Sequence, residues 1–215
     1  MARHNLTKAE MFNTISHLVG LCLTVSMTWV IIWFGYSKNW EMAFGATFFT
    51  VGMVLMYVAS TLYHFWTPET KGKRILRLLD HLSIYLLIAC SYTPVCMALV
   101  EDDWLVSGWV SFGIIWFVAI VGVFYKLFFW HKFPKLSLIL YIILGWAVLF
   151  FIEPVRQCVT PLAIIFILAE GVAYSSGVYF FANDKKNVYY HGYWHIFVIL
   201  GTLFHWGAVF VMTLP

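Results

Sequence analysis

Charge is what this chain has least of. Asp, Glu, Lys and Arg make up 11% of its 215 residues, against 62% hydrophobic and 20% aromatic. So apolar a composition excludes an ordinary soluble domain, whose surface would have to carry far more charge. The net charge of +3 is small and dispersed and speaks against a nucleic-acid partner. Cysteine is thin as well. Cys22, Cys90, Cys96 and Cys158 contain no close pair of the kind used in cysteine zinc sites, so they read as small core residues, with a Cys96–Cys158 pairing left open. No linker, low-complexity tract or short repeat divides the chain, and residues 1–215 read as one domain. The first apolar segment follows Arg3 and Lys8 as a signal peptide would, but it is too long and no small-residue cleavage site ends it. It is read as a retained first helix.

What is present is long apolar runs. Seven segments, near 14–36, 42–63, 76–99, 105–126, 135–153, 158–182 and 190–213, each approach the roughly 20 residues that cross a bilayer as a helix. Polar or turn-rich stretches separate them, among them Ser37-Lys38-Asn39, Thr67-Pro68-Glu69, Glu101-Asp102-Asp103, His131-Lys132-Phe133-Pro134, Glu153-Pro154 and Asn183 to Asn187. Pro154 and Pro161 fit helix ends, and Pro94, inside the third segment, predicts a kink. The fold class is all-α, a bundle of seven transmembrane helices. Lys and Arg split 11 to 2 between alternate loops, which places the basic loops and the N-terminus in the cytoplasm and the C-terminus outside. The expected location is the plasma membrane, as a multi-pass protein.

Against this apolar background, His64, Asp80, His191 and His195 form a pattern. His191-Gly-Tyr-Trp-His195 sets two imidazoles one helical turn apart on one face. His64 ends the second segment and Asp80 begins the third, across a short basic loop. The loop-charge orientation puts all four at one depth, near the cytoplasmic side. Three neutral nitrogens with a carboxylate, or a water held by one, suit Zn²⁺. The bland alternative is a hydrogen-bonded polar cluster tying three helices together.

The neighbours carry the same two readings. Ser60, one turn from His64, either bonds back to its own helix or polarises a substrate oxygen beside the metal water. Asp80 either pairs with Arg77 or Lys73 or holds and deprotonates that water. Glu10, Asn13, Ser16 and His17 recur at three- or four-residue spacing, as an amphipathic entry turn or as support for the ligands. His205 lies about 15 Å further along the last helix than His195, too far for the same ion, and reads as a packing residue. His81 is turned about 100° from Asp80 and is a weak candidate. His4 and His131 read as solvent or headgroup residues. Glu170, inside the sixth segment, either bonds to a packed helix or lines a cavity.

The segments Glu10-Met-Phe-Asn13-Thr-Ile-Ser16-His17, Ser60-Thr-Leu-Tyr-His64, Leu79-Asp80-His81, Ser91-Tyr92-Thr93-Pro94 and His191-Gly-Tyr-Trp-His195 together resemble bacterial hemolysin III-type membrane proteins. These group with the progestin and adipoQ receptors and, more distantly, with alkaline ceramidases. The resemblance covers nearly the whole chain. It implies His64, His191 and His195 as zinc ligands, with Asp80 acting through water. The N-terminal lead before the first segment is only about a dozen residues, unlike the long cytoplasmic region of the hormone-receptor members. That departure points away from a receptor for a circulating protein hormone and towards a compact bacterial, inner-membrane form.

Three functions follow as expectations. The first is a zinc-dependent hydrolase of a lipid amide or ester, with Asp80 as general base, Ser60 as oxyanion partner and a membrane lipid, entering by its acyl chain, as substrate. The second is a non-enzymatic regulator or sensor of membrane lipid state with structural zinc. The third is a pore-forming cytolysin, disfavoured because the polar groups gather at one depth instead of lining several helices. Oligomeric state is left open.

Overall fold

The computed structural model describes residues 7–66, 70–102, 104–129 and 134–214. His4, His131, the Thr67-Pro68-Glu69 turn and Asp103 lie outside the described residues. The elements are α1 (Lys8–Lys38), α2 (Trp40–Phe65), α3 (Lys71–Glu101), α4 (Leu105–Phe129), α5 (Pro134–Gly145), a 3₁₀ turn (Ala147–Phe151), α6 (Ile152–Cys158), α7 (Pro161–Ala182), a 3₁₀ turn (Asp184–Lys186) and α8 (Tyr190–Thr213). No strand occurs among the described residues, and seven helical stretches are long and apolar enough to cross a membrane, α5 to α6 counting as the fifth. Among the described residues, four of the eight α-helices start at a side-chain cap that the sequence encodes. The side chains of Thr7, Asn39, Thr70 and Thr160 accept the backbone N–H of Glu10, Met42, Lys73 and Ala163 respectively. Pro161 adds a preset first helical position to α7.

Burial ranks the helices. In α3, 83% of the most apolar window is buried, against 22% in α1, α4 and α7. α3 is therefore the hub, packed by α2 on one side and α4 on the other, while the outer helices turn apolar faces to lipid. α1 packs on both α2 and α8, and α7 on α8, so the N-terminal helix is wedged between the second and seventh spans. On α4 the buried stripe is Gly108, Ser111, Ile115, Ala119, Gly122 and Lys126, a run at three- and four-residue spacing in which small residues let the helices approach. At the end away from the histidines, Lys38 Nζ pairs with Glu101 at 3.2 Å and donates to the Met212 carbonyl at 2.8 Å, joining the ends of α1, α3 and α8.

Pro94 lies inside α3, which runs as one helix from Lys71 to Glu101. Gly45 of α2 lies against the Pro94 backbone, where a Cβ would come within 2.6 Å of its Cα, so α2 presses on the site of the missing hydrogen bond. The fifth span does not end near 153. It breaks at Trp146 into a 3₁₀ turn and resumes as α6 through Cys158, placing Pro154 in the first turn of α6, where its missing N–H is no loss. The sixth span begins at Pro161, after its Thr160 cap, and not at 158.

Candidate metal centre

α1 opens with Thr7 capping Glu10, and the residues that follow at helical spacing face two other helix ends. Glu10 reaches the C-terminal turn of α2, where its Oε2 lies 2.6 Å from His64 Nδ1. A carboxylate accepts and does not donate, so Nδ1 carries the proton and His64 Nε2 is left with its lone pair. That nitrogen is buried without a hydrogen-bond partner. The backbone carbonyl of Asn13 stands 3.1 Å from His195 Nδ1, and Ser16 Oγ stands 3.0 Å from the same atom. Ser16 donates its own proton to the Asn13 carbonyl at 2.9 Å, so its oxygen is free to accept from His195. Both partners of Nδ1 are acceptors, which again directs the lone pair of His195 to Nε2. Glu10 and the Asn13–Ser16 turn thus set the tautomers of two imidazoles from one helix.

The third imidazole is His191, one turn before His195 on α8. The rings of His64, His191 and His195 lie 4.8–5.0 Å apart by centroid, and one ligand nitrogen from each falls within 4.8 Å of the others. Three convergent imidazole nitrogens, two with their far nitrogens held by acceptors, are a donor set able to hold a metal ion. The orphaned, buried His64 Nε2 supports the same fit, because a lone pair sealed from water is costly unless something binds it.

Gly192 lets α1 come this close. A Cβ there would collide with the Phe12 ring and sit 2.9 Å from Asn13 Oδ1. Its place between the two histidines is thus what permits the Asn13 carbonyl and Ser16 to reach His195.

The remaining candidates fall around this trio. Asp80 is buried and stands outside the three-imidazole group, but lines one cavity with Ser60, His17, His191 and His195. Ser60 does not bond back to its helix; its hydroxyl is sealed in the core beside Asp80. Arg77 donates to the Tyr63 hydroxyl at 3.1 Å, and Lys73 to the Tyr63 carbonyl at 2.6 Å. His17 offers no hydrogen bond to a ligand. It stacks flat on His195, centroids 3.6 Å apart and planes 12° off parallel. The side chain of Asn13 bonds weakly to Glu10 at 3.5 Å, so its contribution to His195 comes from its backbone. His81 also lines the cavity, by a face of α3 that spacing from Asp80 alone did not favour.

Two features went unread in the sequence. Lys126, taken as a loop charge, is buried on α4 within electrostatic reach of Asp80. Its place on the small-residue stripe of α4 was the available signal. Glu170 and His205, read separately, form one pair, Glu170 Oε2 to His205 Nδ1 at 2.5 Å across α7 and α8. No sequence spacing connects them.

The cavity has a volume of about 110 Å³ and runs from the histidines between α3, the broken fifth span, α7 and α8. Its walls are mostly apolar, with Ile84, Leu87, Ile88, Val95, Val148 and Val198 among them.

The same chain can be placed by comparison. The family model described as haemolysin-III related matches residues 5–206. Hemolysin-3 of Bacillus cereus is 34% identical over 209 residues, 97% of this chain and 93% of that protein. The Hemolysin-3 homolog of Bacillus subtilis is 32% identical over 197 residues, 91% and 90% of the two chains. The human monocyte to macrophage differentiation factor is 26% identical over 170 residues, 76% of this chain and 68% of that protein. The last similarity supports the link to the progestin and adipoQ receptor proteins. With seven membrane-length helices and a match along nearly its whole length, the chain belongs to the haemolysin-III related family of multi-pass membrane proteins.

Proposed function

We propose that this protein is a zinc-dependent hydrolase acting on a lipid amide or ester at the histidine-bearing end of the bundle. The observation that carries the reading is the junction of two things: a trio of convergent imidazoles, two of them tautomer-fixed, and a largely apolar cavity that starts among them. Three neutral nitrogens suit Zn²⁺, and the harder cations Mg²⁺ and Ca²⁺ prefer oxygen. A zinc ion held by His64, His191 and His195 would supply Lewis acidity and lower the pKa of water towards neutrality.

The chain's own groups do the rest. The cavity walls receive an acyl chain and exclude bulk water, which strengthens every charge interaction at the polar end. Asp80 takes a proton at its carboxylate from the attacking water and returns it to the leaving nitrogen or oxygen. Ser60 Oγ donates to the developing oxyanion. Lys126, buried on the α4 stripe, attracts the Asp80 carboxylate. His17, stacked on His195, fixes the plane of that ring.

The test is His195→Ala. Bound zinc and fatty-acid release from amide or ester lipids should disappear together; undiminished release from zinc-free protein would rule the reading out. A second reading rests on a separate feature. Glu10 with His64, and Asn13 and Ser16 with His195, join α1 to α2 and α8, as a structural zinc site would. In that case zinc removal lowers the unfolding temperature sharply and no purified lipid is cleaved. A water-filled pore is disfavoured by the apolar cavity lining.

A further inference from the structure

Glu170 and His205 lie deep in the bundle, about 15 Å along α8 from His195. Ionisable groups at such depth are costly and are kept where they act on something. A role in helix packing alone accounts for one nitrogen of His205. Its Nδ1 is taken by Glu170, but its Nε2 is buried without a protein partner on a side chain that is only 3% exposed. The hydroxyl of Tyr174, one turn beyond Glu170 on α7, is likewise buried without a partner. All three residues line the same cavity that begins at His191 and His195. Two polar neighbours in the cavity wall are already engaged: the Tyr92 hydroxyl donates to the Gly145 carbonyl and accepts from Val148, and Ser175 accepts from Trp146.

We propose that Glu170, His205 and Tyr174 form a second polar subsite, which binds a hydroxyl carried part-way along the hydrocarbon chain of a lipid whose head lies among the histidines. A hydroxyl both donates and accepts, so it pairs with His205 Nε2 as a lone pair and with the Tyr174 hydroxyl in either sense. An unsubstituted chain leaves both groups unpaired in an apolar cavity. A site built to bond a hydroxyl discriminates strongly against the analogue without it. The proposal rests on the reading of the cavity as a lipid site and names the class of lipid it selects. It does not need turnover.

The experiment is therefore a binding one. Full-length protein in detergent is titrated with a fluorescent fatty acid, and three probes compete: stearic acid, 2-hydroxystearic acid and 12-hydroxystearic acid. In the last, the hydroxyl of the extended chain stands about as far from the carboxylate as His205 does from His195 along α8. The 12-hydroxy acid is expected to bind about tenfold tighter than the other two. His205→Phe should erase that preference. Tyr174→Phe, which removes one hydroxyl and is the milder change, should reduce it. Equal affinities for the three probes in the unmodified protein overturn the proposal, as does a preference that survives both substitutions. The measurement is repeated on His195→Ala. A preference retained there while lipid hydrolysis is absent even in the unmodified protein means that the hydrolase reading fails and this subsite stands. Failure of all three probes to bind overturns the subsite, whereas the hydrolase reading falls separately, by lipid release from zinc-free protein.

Discussion

Glu10 is the most exposed member of the machinery, and the one whose removal tests the site most cleanly. It touches none of the three convergent imidazole nitrogens. Its carboxylate holds His64 Nδ1 at 2.6 Å, and the effect on an ion must pass through that ring. Loss of such an outer partner costs 10–100-fold in metal affinity, about 1.4–2.7 kcal/mol. The Glu10 side chain is 36% exposed, so part of its charge is screened by solvent. Glu10→Gln keeps an accepting oxygen and loses only the charge, and should weaken zinc binding by about tenfold. Glu10→Ala frees the ring to rotate and to change tautomer, and should approach about 100-fold. The same logic orders the neighbours. Ser16→Ala removes one of two acceptors from His195 Nδ1 and leaves the Asn13 carbonyl in place, so its loss should be smaller than that of Glu10→Ala. Asn13→Ala leaves the backbone carbonyl untouched and should be the mildest. Competition for Zn²⁺ against a chromophoric chelator measures all four. An affinity unchanged in Glu10→Ala, or an Asn13→Ala loss larger than the Glu10→Ala loss, would refute the reasoning.

Other outcomes follow from the packing. Gly192→Val should drive Phe12 and α1 away from α8, costing about 1–3 kcal/mol of overpacking and weakening zinc binding in the same variant; thermal unfolding with the chelator titration checks both. Lys126→Met and Asp80→Asn should each destabilise the bundle, and the double variant should lose clearly less than the two separate losses added, by about 1–3 kcal/mol; additivity in the cycle would separate the two residues. A single reactive cysteine in the Asp184–Lys186 turn, in a background without the native ones, should be labelled only from the cytoplasmic side. One at Asp102 should be labelled only from outside, and the reverse pattern would overturn the loop-charge orientation.

Much of the fold was legible because a bilayer imposes a length. Seven apolar runs near 20 residues, separated by capping threonines, an asparagine and prolines, left little freedom in the count. The break at Trp146 was hard to read, since residues 142–152 are apolar nearly throughout and a single glycine, Gly145, is the one hint of a stop. The start of α7 was, in retrospect, written plainly: Thr160 followed by Pro161 is a cap and a first helical position, and it outranks an apolar Cys158. The packing around Pro94 was not legible either, because Gly45, which lies against its backbone, sits on another helix and is invisible to a local rule.

The site divides along the same line. His191 and His195 declare themselves because four residues make one helical turn, and His64 joins them because loop charge fixes which helix ends share a depth. The roles within α1 do not follow from periodicity. Spacing puts Glu10, Asn13, Ser16 and His17 on one face, yet Glu10 works by its carboxylate, Asn13 by its backbone, Ser16 by relaying an acceptor and His17 by its ring face. Those differences depend on the distance at which α1 meets α8, and that distance is set by the absence of a side chain at Gly192. The His-Gly-Tyr-Trp-His motif therefore carries more than two imidazoles at helical spacing. Its glycine admits the helix that orients the second of them, so a histidine pair with any larger residue at that position would keep the spacing and lose the tautomer control.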